Sequence, residues 1–290
     1  MRLVIVSGLS GSGKSVALHM LEDLDYYCVD NIPAGLLPMF ISHTVRSHES
    51  IYGSTAVGVD ARNRPAEIAS VPKLVDELKR SGVGCEVLFL RANEEVLLKR
   101  YSETRRRHPL SRDGTGLIDA IRQEQTLLGP IADAADLVLD TSRTSVHELR
   151  ELIRQRVAGR TGDRLSILFE SFAFRHGVPD DADFVFDVRN LPNPHWEPGL
   201  SHLTGRDAAV AEYLERHPIV ARMFADIIGF LEHWIPDFVR TNRSYLTIAI
   251  GCTGGQHRSV YLVERLTEHF AKRYPLVHAR HQVVGDASRR

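Results

Sequence analysis

The segment GLSGSGKS at residues 8–15 constrains the fold more than any other feature of this sequence. It matches the phosphate-binding pattern G-x-x-x-x-G-K-[ST], in which glycines let several backbone N–H groups point at one phosphate. The segment follows the apolar run RLVIVS at 2–7 and precedes a helical pattern, which is the context that such a loop requires. We therefore predict a nucleotide site formed by Gly8, Leu9, Ser10, Gly11, Ser12, Gly13, Lys14 and Ser15, with Ser15 also binding Mg²⁺.

An acid at the end of a nearby strand should accompany this loop and hold Mg²⁺ through water. Two apolar runs end in such an acid: STAVGVD at Asp60 and YYCVD at Asp30. We favour Asp60 as the acid and metal ligand, with Asp30 as its rival. Either carboxylate could instead be a solvated group that ends a strand.

The densest basic segment is KRYSETRRRHPLSR at 99–112. Arginines placed after a helix in this way could close over the phosphates of a nucleotide, or they could contact RNA. The segment could equally be an exposed, charged helix end, because runs of charge are usually solvated.

Strand-like and helix-like patterns alternate along the first half of the chain, which favours a parallel sheet covered by helices. The strands are expected at 2–7, 26–30, 54–60, 85–90 and 136–140, and the helices at 14–24, 65–81, 93–107, 116–128 and 144–157. A second α/β pattern follows, with strands at 165–173, 183–188, 245–250 and 276–284 and helices at 206–215, 218–234 and 258–273. We predict a P-loop NTPase/kinase-like parallel-sheet domain at 1–158, a linker with the sequence GRTGDR at 159–164, and a smaller α/β domain at 165–290.

Composition limits the compartment and the binding partners that can be expected of this protein. The formal net charge is −1, so any binding of nucleic acid must depend on a local basic patch. No apolar stretch approaches the roughly 20 residues that span a bilayer, and the N-terminus lacks the features of a signal peptide. The three cysteines show no metal-ligand spacing. We expect a reduced, cytoplasmic protein that does not bind membranes.

A second glycine-rich loop, GCTGGQHRSV, occupies residues 251–260. Its backbone N–H groups, the fork of Arg258 and a helix that starts near Ser259 predict an anion site. The alternative is a simple strand-to-helix turn. The spacing of Cys252 and Arg258 also matches cysteine-dependent phosphatases, in which Cys252 would be the nucleophile and Asp187 the acid. Gly251, however, occupies the place where those enzymes usually have a histidine.

The segment RNLPNPHWEPGL at 189–200 is typical of a loop beside a site, because three prolines fix its backbone. His195 could hydrogen-bond a sugar phosphate there, or it could be an ordinary surface histidine. We expect Trp196 to anchor the loop to the core.

Taken together, these motifs resemble the RapZ/YvcJ family of P-loop nucleotide-binding proteins over almost the whole chain. The matching segments are GLSGSGKS, DYYCVDNIPAGLLP (25–38), VDARN (59–63), ETRRRHPL (103–110), NPHW (193–196) and GCTGGQHRSV. The resemblance implies binding of ATP and GTP with slow hydrolysis. It assigns GTP contacts to Asp60, Ala61, Arg62 and Asn63.

In the adaptor branch of that family, the protein presents a small regulatory RNA to an endoribonuclease and so controls glucosamine-6-phosphate synthase. The resemblance places an amino-sugar phosphate, glucosamine-6-phosphate, at Asp187, His195, Thr253, Gly254, His257 and Arg258. The loop pattern adds Cys252, Gly255 and Ser259 to this set. RNA contacts would fall on Lys272, Arg273, Arg280, Arg289 and Arg290, although Gln256 stands where we expect a basic residue in adaptor loops.

The predicted function is therefore that of a regulatory homo-oligomer with weak ATPase or GTPase activity at most. A small-molecule P-loop kinase and a Cys252-dependent phosphatase remain the alternatives.

Overall fold

A computed structural model describes residues 1–47, 50–104, 107–111, 115–158, 165–241 and 243–284 of the chain. The chain divides into two units, Met1–Gly159 and Arg160–Arg290. The predicted linker at 159–164 lies outside the described residues.

The first unit is built on a parallel five-stranded sheet with the strand order β2-β3-β1-β4-β5. Its strands are β1 (Arg2–Gly8), β2 (Tyr27–Val29), β3 (Ser54–Gly58), β4 (Gly84–Arg91) and β5 (Leu137–Asp140). Its helices are α1 (Lys14–Glu22), α2 (Leu37–Ser47), α3 (Pro65–Arg80), α4 (Glu94–Thr104), α5 (Leu117–Asp133) and α6 (Val146–Leu152), which continues as a π-helical segment, Ile153–Ala158. The predicted parallel sheet is confirmed.

Helix α2 is the element that the sequence patterns did not predict. Leu37 and Ile41 lie one turn apart and are both buried against the core of the first unit. Pro38 occupies the second position of the helix, where a missing N–H removes no intrahelical hydrogen bond. Pro38 is therefore compatible with α2, although a proline in the interior of a helix would interrupt it.

The strand order places the predicted nucleotide loop at a particular edge of the sheet. Strand β1 lies between β3 and β4, so the chain crosses from one side of β1 to the other after β3. In open parallel sheets, ligands bind outside the carboxyl ends of the strands at such a reversal. The loop at 9–13 follows β1 at this position.

The second unit contains a parallel four-stranded sheet with the order β7-β8-β6-β9. The strands are β6 (Ser166–Ala173), β7 (Phe184–Asp187), β8 (Tyr245–Cys252) and β9 (Val277–His281). The helices are α7 (Ala208–Glu215), α8 (Pro218–Arg240) and α9 (Arg258–Ala271). Every residue of β6 and β8 is buried, as expected of interior strands in a parallel sheet. The second α/β pattern is also confirmed.

A chain of polar side chains ties the edge strand β9 to the helix α9. Ser171 Oγ lies 2.7 Å from His281 Nδ1, and His281 Nε2 lies 3.0 Å from Glu264 Oε1. The same carboxylate accepts a hydrogen bond from Arg206 Nε at 2.6 Å. The hydrogen bond from His281 is the main cause that lowers the pKa of Glu264 to about 2. Glu264 is therefore an ionised, specifically bonded carboxylate at neutral pH.

Among the helices that the structure describes, none combines the length and the apolar character needed to cross a bilayer.

Candidate functional site

The loop between β1 and α1 forms an anion-binding arrangement from its backbone. Gly13 precedes the helix in a left-handed conformation (φ +108°), and α1 begins at Lys14. In the described part of the chain, no side chain caps the start of this helix. The first N–H groups of a helix have no intrahelical acceptor and carry its positive dipole end. They are therefore available to an anion.

Lys14 lies between two carboxylates at the edge of the sheet. Its ammonium group forms an ion pair with Asp30, and Nζ lies 3.5 Å from Asp60 Oδ2. Both candidate acids therefore lie at the loop. A phosphate that reached Lys14 would replace one negatively charged partner by another.

Asp60 is clamped by the arginine two residues later. Its Oδ1 accepts a hydrogen bond from the backbone N–H of Arg62 at 3.0 Å, and its Oδ2 accepts one from Arg62 Nη2 at 2.6 Å. Burial alone would raise the pKa of Asp60, but the hydrogen bonds from Arg62 and the charge of Lys14 outweigh burial and lower it. The carboxylate is ionised and only 4% exposed, with both oxygens in use. Asp60 therefore fits a role in which it holds Mg²⁺ through water.

Two further residues of the VDARN segment, Ala61 and Asn63, have buried side chains, whereas Arg62 is exposed. Asn63 Oδ1 accepts a hydrogen bond from the N–H of Ala34 at 2.6 Å. Asn63 Nδ2 donates to the carbonyl of Asp60 at 3.2 Å. These bonds hold the segment against the short 3₁₀ turn Ala34–Leu36. Contact of Ala61 and Asn63 with a nucleotide stays a prediction.

Arg100, from the basic segment, braces the loop from outside. Its Nη1 donates to the carbonyl of Gly11 at 2.9 Å, and its Nη2 donates to the carbonyl of Thr141 at 2.6 Å. Thr141 Oγ1 in turn donates to the carbonyl of Ser12 at 2.8 Å. Burial lowers the pKa of Arg100. Arg107 is exposed, whereas Arg105, Arg106 and Arg112 lie outside the described residues.

A buried carboxylate beneath the loop was not anticipated from the sequence. Glu124 is fully buried and accepts hydrogen bonds from the N–H of Ser10 at 2.8 Å and from its Oγ at 2.6 Å. His108 Nδ1 accepts from the N–H of Leu110, so its Nε2 is the donor to Glu124, at 3.2 Å. One signal was available, because Glu124 lies on the same helix face as Ile121 and Leu128. A charged residue on a core face is usually paired.

The second loop joins β8 to α9, and its Cys252 is buried. Cys252 Sγ accepts a hydrogen bond from the N–H of Gly255 at 3.2 Å and lies 3.1 Å from Ser259 Oγ. The cysteine is 2% exposed and Ser259 is fully buried. A nucleophile that attacks a phosphate must reach it, so this burial counts against the phosphatase alternative.

Arg258 is also buried, and it is largely engaged. Its Nη1 donates to the carbonyls of Arg189 and Leu191 at 2.7 and 2.9 Å, and its Nη2 donates to Thr253 Oγ1 at 3.3 Å. Its Nε is buried and has no hydrogen-bond partner among the described residues. Arg258 thus fixes the 189–191 segment to the loop, while its Nε–H is left without an acceptor among the described residues.

Asp187 repeats the clamp seen at Asp60. It ends β7, which pairs with β8, and it accepts hydrogen bonds from the backbone N–H of Arg189 at 2.9 Å and from Arg189 Nη2 at 2.6 Å. These bonds lower the pKa of Asp187. A carboxylate with a lowered pKa is a poor proton donor. The hydrogen bonds from Arg189 favour the ionised carboxylate, so they count against Asp187 as the acid of a phosphatase.

The proline-rich segment presents an exposed histidine and tryptophan. The rings of His195 and His257 have centroids 6.4 Å apart, and His257 Nε2 lies 3.1 Å from the carbonyl of Leu200. Burial is the main cause that lowers the pKa of His257. The expectation that Trp196 anchors the segment to the core is wrong, because its side chain is 79% exposed. The segment is held instead by Arg258, which donates to the carbonyls of Arg189 and Leu191, and by the contact of His257 with Leu200. Gln256 Nε2 donates to the carbonyl of Leu203, just beyond the segment, at 2.7 Å.

Thr253, at the outer side of the second loop, is exposed, and Gly254 has open space around it. The structure thus brings the residues proposed for the sugar-phosphate pocket to one end of β7 and β8.

The residues proposed for RNA contact do not share one environment. Lys272 and Arg273 are exposed just after α9. Arg280 instead forms an ion pair with the buried Glu170, with 3.2 Å between Nη1 and Oε1. Arg289 and Arg290 lie outside the described residues.

Across the described ranges of the chain, no group of three or more His, Cys, Asp or Glu side chains is arranged to hold a metal ion.

The sheet order, the loop after β1 and the acid after β3 define the first unit as a P-loop NTPase/kinase-like α/β domain. Two family models match the chain: one described as RapZ-like N-terminal domain over residues 1–161, and one described as RapZ C-terminal domain over residues 165–285. The chain therefore belongs to the RapZ family, as its motifs indicated.

Relatives of nearly full length support this membership. A nucleotide-binding protein from Nitrosococcus oceani is 54% identical and covers 97% of this chain and 99% of its own. One from Thioalkalivibrio sulfidiphilus is 56% identical and covers 93% of this chain and 94% of its own.

A solved structure of shikimate kinase from Bacteroides thetaiotaomicron is 16% identical and covers 53% of this chain and 98% of its own, with a TM-score of 0.35.

The second loop has no space for a side chain at position 251, where the phosphatase pattern has a histidine. A Cβ built at this position would overlap the rings of Phe172 and Phe174. We predict that Gly251→Ala destabilises the chain by about 1–3 kcal/mol through overpacking. Gly254→Ala is the matched control, since nothing lies within 4 Å of its Cβ. Urea unfolding of both variants measures the difference, and equal midpoints would contradict this account of Gly251.

Proposed function

We propose that the first unit binds ATP or GTP with Mg²⁺. The observation that carries this proposal is the uncapped start of α1, with Lys14 held beside it by two carboxylates. Ser15 and Asp60 would hold Mg²⁺, and Asp60 would act through water. The relatives described above are named nucleotide-binding proteins, which supports the same assignment. Hydrolysis would be slow, and the protein would act in the cytoplasm.

We further propose that the second loop binds an amino-sugar phosphate, with glucosamine-6-phosphate as the first candidate. Support comes from Arg258, whose Nε has no acceptor within the described ranges and which begins a 14-residue helix, and from the exposed Thr253 in the loop before it. A buried donor without an acceptor is energetically costly, so a ligand that accepts from it would be favoured. His195 lies in an exposed position from which it could contact the sugar.

The third part of the proposal is an adaptor function. The chain, as a homo-oligomer, would bind a small regulatory RNA and direct it to an endoribonuclease, with Lys272 and Arg273 contacting phosphates. Membership of the RapZ family and the exposure of these two residues support it. A small-molecule kinase remains the alternative for the first unit, because the same loop would serve phosphoryl transfer.

Removal of Lys14 tests nucleotide binding. Lys14→Ala should weaken binding of ATP or GTP by about 10- to 100-fold, since a charge-assisted hydrogen bond contributes roughly 1.5–3 kcal/mol. The variant also leaves Asp30 and Asp60 without their shared cation. Calorimetric titration with Mg²⁺ present measures the affinity. Lys73→Ala, on an exposed face of α3, is the control, and equal affinities of the two variants would refute the site.

Sugar-phosphate binding predicts a ligand-dependent rise of the unfolding temperature. Glucosamine-6-phosphate should stabilise the parent chain, and this stabilisation should be lost in Arg258→Ala. Because Arg258 also holds the 189–191 segment, Thr253→Val is the milder variant and should reduce the effect. Arg222→Ala, exposed on α8, should leave it unchanged. A full thermal shift in Arg258→Ala would show that the ligand binds elsewhere.

The adaptor function predicts RNA binding that weakens with salt. A combined Lys272→Ala and Arg273→Ala variant should bind a labelled hairpin RNA less tightly. The slope of log affinity against log salt should fall by about one per lost phosphate contact. Fluorescence anisotropy across a KCl series measures both quantities. The charge-matched control combines Lys73→Ala with Arg80→Ala, and the same slope in both variants would contradict the assignment.

A further inference from the structure

Asp30 reaches the nucleotide loop through a strained turn at the end of β2. Strand β2 ends at Val29, and the residue after Asp30 is Asn31, which adopts a left-handed conformation with φ +55°. This region is uncommon for residues other than glycine. Ile32 then donates a backbone hydrogen bond to the carbonyl of Gly58 at 3.2 Å. The turn is thereby tied to the end of the neighbouring strand β3.

Gly58 makes room for the carboxylate. A Cβ built on Gly58 would overlap Asp30 Oδ1, so a larger residue here would displace the Asp30 carboxylate from its place over the end of β3. From there the carboxylate forms its ion pair with Lys14. Backbone strain at Asn31 and close approach at Gly58 together direct one side chain to the cation of the loop. Such strain is commonly found at functional sites.

Asp30 and Asp60 differ in how fully they are engaged. Asp60 is 4% exposed, and Arg62 occupies both of its oxygens. Asp30 is 46% exposed, and within the described ranges Lys14 alone donates a hydrogen bond to it. Of the two acids beside Lys14, Asp30 therefore has an oxygen that solvent can reach.

We propose that Asp30 orients the water that attacks the terminal phosphate of the bound nucleotide, an inference that rests on the nucleotide site proposed above. Once the phosphate engages Lys14, the carboxylate of Asp30 accepts a hydrogen bond from that water. The water oxygen forms a bond to the γ-phosphorus while the bond from that phosphorus to the bridging oxygen breaks. The products are a nucleoside diphosphate and inorganic phosphate. The proton released from the water passes to Asp30 and then to solvent.

In this assignment the two acids have different roles because their environments differ. Asp60, which is fixed by Arg62, holds Mg²⁺ through water. Asp30, which solvent can reach, orients the attacking water. A residue that positions an attacking water is a recurrent part of phosphoryl-transfer sites, and the loop itself offers no such group.

The test uses the full chain with Asp30→Asn, which keeps the shape of the side chain and removes its charge. Affinity for ATP should be equal to that of the parent or a few-fold tighter, because one competitor for Lys14 is weakened. Phosphate release in a single turnover should fall by at least about tenfold, within the range of positioned acid–base groups. Asp23→Asn, an exposed acid at the end of α1, is the matched control and should change neither quantity. Thermal unfolding of both variants checks that they are folded.

The outcomes separate this inference from the site on which it rests. Parental turnover in Asp30→Asn would overturn it, and so would a joint loss of binding and turnover, which would indicate a structural role. A parent chain that binds ATP but releases no phosphate would overturn it as well. A parent chain that binds no nucleotide would instead refute the proposed nucleotide site, and the inference with it.

Discussion

The interaction that recurs beside both glycine-rich loops is a carboxylate at the end of the adjacent parallel strand, which accepts hydrogen bonds from the arginine two residues later. Asp60 with Arg62 and Asp187 with Arg189 form the same set of bonds, each with a 2.6 Å contact to Nη2. The arginine keeps the acid ionised and fixed in one orientation. At the first loop this carboxylate lies 3.5 Å from Lys14 Nζ. At the second loop the clamping arginine makes the contact, because the carbonyl of Arg189 accepts a hydrogen bond from Arg258 Nη1 at 2.7 Å.

The two loops use this arrangement differently because their cations have different partners. Lys14 contacts carboxylates, which a phosphate can replace with little change in local charge. Arg258 donates to the backbone carbonyls of Arg189 and Leu191, which are parts of the fold. The first cation is therefore exchangeable, whereas the second is chiefly structural. Together with the burial of Cys252, this difference favours holding a phosphate over hydrolysing it at the second loop.

Much of the fold could be predicted from local patterns, because buried parallel strands are short apolar runs and the first loop has a specific sequence. The position of Asp60 beside Lys14 could be anticipated from its place at a strand end. Arg100 and Glu124 could not be assigned, since their partners Gly11 and Ser10 lie 89 and 114 residues away. The error at Trp196 has a physical cause. Contacts of Arg258 and His257 with backbone carbonyls hold the two ends of that segment, so no aromatic anchor is needed.

The rings of Phe172 and Phe174, which lie against Gly251, also limit how the second loop could evolve into a phosphatase site. Installing the histidine of the phosphatase pattern at this position requires space that Phe172 and Phe174 occupy. Removing the ring of the buried Phe172 first would leave a cavity in strand β6, at a cost of about 3–5 kcal/mol. The substitutions are thus coupled, each harmful without the others. This coupling opposes any stepwise change of the second loop toward the phosphatase pattern.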